Sequence, residues 1–177
     1  MALRKASAYS KFKKRAYTRK SNVRSKSYIK AIPLSKITKY IMGDIHKFNE
    51  NRFPYVLYLI SCEPVFIRDN AIEAARQFVH RQLEDAFKEN FYFSVDVYPH
   101  QILRENKMLT GAGADRMQTG MSQSFGTPVG IAAMVHKDKK IFTVAVSDEN
   151  SAKTARAAME KVKAKMPGHK KVVVVKK

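Results

Sequence analysis

Cysteine is almost missing from this 177-residue chain, which carries only Cys62. That excludes an intramolecular disulfide and a cysteine-rich zinc site. Within Leu59-Ile60-Ser61-Cys62 the thiol reads as a packed strand residue, the usual state of a buried cysteine. Long apolar runs are lacking as well. The longest, Tyr55 to Ile60, is far below the roughly 18 residues that a membrane helix needs. The cationic start, Met1 to Lys20, is not followed by the apolar stretch of a secretory signal. A cytoplasmic protein without a membrane partner is expected. Acids are scarce too, 15 against 34 Lys and Arg, for a formal charge of +19, more than solubility asks of a small domain. With 45% hydrophobic residues, the chain still has enough apolar side chains to close one core.

The shortage of acid is sharpest at the start. Residues 1–43 contain 13 bases and no Asp or Glu: Arg4, Lys5, Lys11, Lys13, Lys14, Arg15, Arg19, Lys20, Arg24, Lys26, Lys30, Lys36 and Lys39. Such a stretch repels itself in water and calls for an anionic partner. It has no amphipathic stripe for a membrane surface. Its aromatics Tyr9, Phe12, Tyr17 and Tyr28 are interleaved with bases, which suits nucleic acid, because rings stack on unpaired bases while charges follow phosphates. Residues 1–43 are therefore expected to be a long basic RNA-binding extension, with Tyr17 among its contacts. Residues 44–177 are expected to be one α+β domain, which should stay folded when residues 1–30 are removed.

Within that domain Tyr55 to Ile60 reads as a buried strand, and Asn70-Ala71-Ile72-Glu73 resembles a helix capping box. Ile72, Ala75, Val79, Leu83 and Ala86 then follow one helical face. Phe91 to Tyr98 and Val129 to Val135 read as strands, as does Ile141 to Val146, with Lys137 to Lys140 as a hairpin turn. A second helix from about Ser151 carries Ala152, Ala155, Met159, Val162 and Met166 inward and stops at Pro167-Gly168. Val172 to Val175 closes as a strand. The order predicts a mixed β-sheet sandwich with two helices.

Between Pro99 and Pro128 the pattern breaks. Four of the seven glycines fall there, and a connection of that length in a compact domain is usually functional or disordered. Gly111-x-Gly113-x-x-Arg116 lacks the third glycine of a dinucleotide turn and no phosphate-loop lysine follows, so nucleotide cofactors are not expected. His100, Glu105, Asp115 and His136 show no acid–base or metal-ligand spacing, so neither a catalytic centre nor a metal is expected. A Gly-rich basic loop over about 104–127 is the remaining reading: Arg104, Lys107 and Arg116 for phosphates, Asn106 and Gln118 for base edges or sugars.

Those residues also carry a resemblance. Leu103-Arg104-Glu105-Asn106-Lys107, Gly111-Ala112-Gly113-Ala114-Asp115-Arg116 and Gly120-Met121 through Phe125-Gly126 strongly resemble the archaeal and eukaryotic large-subunit ribosomal protein family L-ten-e, counterpart of bacterial L-sixteen. The likeness extends over nearly the whole chain. It takes in Ala16-Tyr17-Thr18-Arg19, Ile32-Pro33, Ser35-Lys36-Ile37, Met42-Gly43, Glu73-Ala74-Ala75-Arg76 and Tyr98-Pro99-His100. The resemblance implies an α/β hammerhead-like fold and no enzymatic activity. It implies binding to 23S-type rRNA close to the A and P tRNA sites and the central protuberance, with 5S rRNA nearby. The Gly-rich loop would point toward tRNA and the peptidyl-transferase region, its tip running from Lys107 to Gln118 through Gly111, Gly113, Asp115 and Arg116, with Arg104 and Asn106 at its root. Neighbouring large-subunit proteins are expected partners, and a small-molecule substrate is not. From the residues alone, an RNA-modifying enzyme and a general nucleic-acid-packaging protein are the alternatives.

Overall fold

The computed structural model describes residues 5–12, 22–23, 29, 31–105, 112–113 and 126–176. Eight strands and three α-helices follow in order among them: β1 (Ile41–Gly43), α1 (Ile45–Asn49), β2 (Tyr55–Ser61), β3 (Val65–Arg68), α2 (Asp69–Phe87), β4 (Tyr92–Val95), β5 (Gln101–Glu105), β6 (Thr127–Val135), β7 (Lys140–Val146), α3 (Glu149–Val162) and β8 (Lys170–Lys176). They build a five-stranded sheet ordered β1-β4-β7-β2-β8 and a three-stranded sheet ordered β3-β6-β5.

The α+β class stands, but the mixed sheet does not: every strand pair among the described residues is antiparallel. Among the described residues three α-helices stand where two were expected. The hairpin expected at Lys137 to Lys140 is a corner instead. β6 pairs with β3 and β5, whereas β7 pairs with β2 and β4, so the turn carries the chain from one sheet to the other. Asp138 N donates to Ser61 O at 2.8 Å and Ser61 N to Lys139 O at 3.1 Å, so the corner is tied to the end of β2. Ser61, not Cys62, is the buried residue there; Cys62 lies past the strand and is half-buried.

Alternation in β2 feeds two surfaces. Leu57 and Leu59 join Phe93, Phe142, Val144 and Val146 in the core facing α2 and α3, while Val56 packs with Phe53, Tyr92 and Ala145 beyond the sheet. α2 buries Ile72, Ala75, Val79 and Leu83 as the spacing predicts, but Ala86 is exposed and Phe87 packs against the core in the last turn instead. α3 buries Ala152, Ala155, Ala158, Met159 and Val162. Each fully buried Leu, Ile, Val or Met contributes about 1.5–3 kcal/mol. Beyond α3 the Lys170 ammonium donates to the carbonyls of Met166, Pro167 and Gly168 at 2.7–3.0 Å, which satisfies acceptors where the helix has ended.

The capping box is not formed. α2 begins at Asp69, and Arg68 at its N-cap makes no side-chain cap hydrogen bond. Glu73, expected to reach back to the helix start, bonds sideways instead to Arg76, Gln77 and Thr38.

Candidate nucleic-acid interface

Part of the basic N-terminal segment is built into the fold. The small sheet turns Val65, Ile67, Ala133 and Val135 to the main core, and its other face presents Phe66, Leu103, Ala132 and Met134. Tyr9 and Phe12 cover that second face. The Phe12 ring lies 5.3 Å from Phe66 and 5.1 Å from His136. Phe66 N donates to Ser10 O at 3.0 Å, and Arg68 Nη2 donates to Lys5 O at 2.6 Å. Ile29 joins Ile102 and Ile131 in a separate buried cluster. The segment thus has a packing role besides the RNA-binding one expected from its charge. Apolar side chains scattered among bases close one face of the small sheet.

The stretch before β1 is clamped by the start of α2. Asp69 Oδ2 accepts from Lys36 N at 3.1 Å, and Glu73 accepts from the hydroxyl and N–H of Thr38 at 3.3 and 3.4 Å. Arg76 pairs with Glu73 at 2.6 Å and also reaches Thr38 Oγ1 and Met42 Sδ. The guanidinium beside it is the first cause that holds the Glu73 carboxyl down to about 2, outweighing the opposing cost of burial. Both acids thus spend their acceptors on Lys36, Thr38, Asn70, Arg76 and Gln77. Lys36 and Lys39 are left exposed, and among the described residues neither ammonium has an acidic partner; the same is true of Lys5 and Lys11. Such groups are free to meet phosphate oxygens.

The Gly-rich connection is shorter than the sequence suggests, because Gln101–Glu105 forms β5 and pairs with β6, which begins at Thr127. Residues 106–125 therefore leave and return on a two-stranded stem. Thr127 Oγ1 donates to Glu105 O at 3.2 Å at its open end. A Cβ at Gly126 would come within 2.6 Å of Arg104 Cβ, so the strands close only over a glycine. Tyr9 donates its hydroxyl to Glu105 Oε1, joining the N-terminal segment to this stem. Arg104 is exposed on β5. Gly113 has φ of +80°, a left-handed backbone that favours glycine.

Of the other residues singled out in the sequence, Arg4, Lys13, Lys14, Arg15, Tyr17, Arg19, Lys20, Arg24, Lys26 and Lys30 lie outside the described residues. So do Asn106, Lys107, Gly111, Asp115, Arg116 and Gln118. His100 and His136, weighed as acid–base groups, sit instead against the aromatic rings of Tyr98 and Phe12. No group of three His, Cys, Asp or Glu that could hold a metal occurs among the described residues. A cleft of about 460 Å³ lined by Gly43, Asp44, Ile45, His46 and Glu89 contains carboxylates. Asp44, however, caps α1 through Lys47 N at 3.0 Å, and this hydrogen bond holds its pKa below the usual carboxylate value. No helix among the described residues is long and apolar enough to cross a membrane.

Comparison with known proteins decides the family. Residues 12–173 match the family described as Ribosomal protein L16p/L10e. The chain belongs to that family. Its archaeal relatives include the large ribosomal subunit protein uL16 of Methanococcus maripaludis strain C7, 40% identical, with 99% of this chain and 96% of that protein covered. The uL16 protein of Thermoplasma acidophilum is 42% identical over 99% and 94%, and that of Picrophilus torridus is 40% identical over the same shares. Members of the L16p/L10e family are structural ribosomal components, so the RNA-modifying-enzyme alternative falls. The pairing of Glu73 with Arg76 and the latch of Tyr9 on Glu105 were not foreseen. An acid and a base at i, i+3 were visible at 73 and 76, whereas nothing local connects Tyr9 with Glu105.

Proposed function

We propose that this L16p/L10e protein is a structural constituent of the large ribosomal subunit in the cytoplasm. It binds 23S-type rRNA near the A and P tRNA sites and the central protuberance, where 5S rRNA and neighbouring large-subunit proteins are also within reach. The carrying observation is the pairing of exposed, acid-free ammonium groups with anchored backbone: Lys5 and Lys11 lie in the part held on the small sheet, Lys36 and Lys39 in the part held by the start of α2. Anchoring holds the charges in register with the fold, so phosphate contact also sets the orientation of the body. The further bases between Lys13 and Lys30 extend the same electrostatic contact, and each phosphate neutralised releases counterions.

The stem formed by β5 and β6 aims the loop that it carries. In this reading, residues 106–125 reach toward tRNA and the peptidyl-transferase region, with Lys107 and Arg116 facing phosphates. Positioning and anchoring roles for the loop are separable. Deletion of Gly111 to Asp115 is expected to leave the protein at full occupancy in purified large subunits while slowing tRNA accommodation or subunit maturation. Loss of occupancy would make the loop an anchor. Full occupancy with normal maturation and translation would remove it from function.

A further inference from the structure

Three aromatic rings converge where the chain passes from the large sheet to the small one. Tyr98 lies 5.5 Å from Tyr40 with 21° between ring planes, an offset stack, and 4.6 Å from His100 at 45°. The series therefore runs Tyr40, Tyr98, His100. Its inner end is fixed, because Tyr40 packs against the main core and its carbonyl accepts from Val95 N at 2.8 Å. Its outer end is open. Tyr98 is 52% exposed, and His100 is exposed with Tyr98 as its only ring neighbour among the described residues.

The surroundings favour an anionic, planar partner. Lys39 precedes Tyr40 in the chain, is exposed and lacks an acidic partner among the described residues. Nearby Asp69 and Glu73 are occupied by Lys36 N, Asn70 N, Thr38 and Arg76. Asp96 accepts from Ser94 and Thr143. An unpaired nucleobase matches the ring face, and with the nearby carboxylates already engaged its phosphate meets no free acid among those named. We propose that His100, backed by Tyr98 and Tyr40, is a stacking platform for one unpaired rRNA base. This rests on the rRNA-binding reading above and assigns a site to Tyr98-Pro99-His100.

The test is equilibrium binding of the full-length protein to purified 23S-type rRNA across a salt series, combined with ultraviolet cross-linking of the complex. Loss of one stacked base weakens binding by roughly 5- to 150-fold. His100→Ala should show a loss in that range without changing the log–log salt slope, because no phosphate contact is removed. His100→Phe, which keeps a ring, should restore affinity, and a nucleotide adduct should appear on the peptide holding Tyr98 and His100. Because His100 is exposed, the alanine variant should melt with the wild type. Wild-type affinity for His100→Ala, or rescue by His100→Gln but not by His100→Phe, would overturn the platform while leaving rRNA binding intact. A wild-type protein that does not bind rRNA would overturn the underlying reading and the platform with it.

Discussion

The hydroxyl of Tyr9 donates to the carboxylate of Glu105 across 96 residues of sequence. Glu105 ends the strand from which the Gly-rich connection departs, so the N-terminal segment and the loop share one support. Tyr9→Phe keeps the ring against the small sheet and removes only the donor, at an expected cost of about 1 kcal/mol. Tyr9→Ala also strips packing from Phe66 and Leu103 and should cost more. Urea unfolding of the two variants checks the order.

Packing and charge in residues 1–12 should separate experimentally. Deleting them uncovers Phe66, Leu103 and Met134 and is expected to lower the unfolding midpoint. The double variant Lys5→Ala, Lys11→Ala leaves those contacts in place. It should melt with the wild type but flatten the salt dependence of rRNA binding by about 0.7–0.9 in log–log slope per lost phosphate contact.

The Glu73 carboxyl titrates at about 2 in the folded protein against an ordinary 4.5. A carboxyl with a lowered folded pKa binds fewer protons in the native state. Its stabilisation is complete above pH 4.5 and is lost as the pH falls toward 2. Glu73→Gln removes this group and leaves Arg76 buried without its partner, which should cost about 3–5 kcal/mol at neutral pH. The gap between wild type and variant should narrow between pH 4.5 and 2, which melting temperatures across that range would register. A constant gap would contradict the assignment.

Gly43 has φ of +82°, and a Cβ there would lie 2.1 Å from Phe91 O. Asp44 N donates to the same carbonyl at 2.8 Å, so the close approach also closes the start of α1. Gly43→Ala is expected to cost at least about 2 kcal/mol, from backbone strain and from displacement of β1 against β4. Chemical denaturation gives the value.

Long periodic elements were legible. β2 and β7 are apolar enough to stand out, and the faces of α2 and α3 follow helical spacing through Leu83 and Val162. Short elements were not. β1 and β3 are three and four residues long, and their pairing partners lie far along the chain. β5 was absorbed into the Gly-rich connection, although Gln101, Ile102 and Leu103 are all buried, because glycines downstream dominated the reading. At the N-terminus the density of Lys and Arg masked Tyr9, Phe12 and Ile29. Their irregular spacing matches no helix or strand period, and they pack as single anchors on the small sheet. The candidate interface was legible in its charges, whereas its scaffold, Asp69, Glu73, Arg76 and Glu105, depends on contacts between distant segments.

Membership of a working large subunit is tested most directly by quantitative mass spectrometry of large subunits purified through a high-salt wash. The account predicts one copy of this chain per particle, retained at the same ratio as other core subunit proteins. Its absence from washed particles, with the protein recovered free or spread over unrelated nucleic acid, would contradict the account and favour a general packaging role.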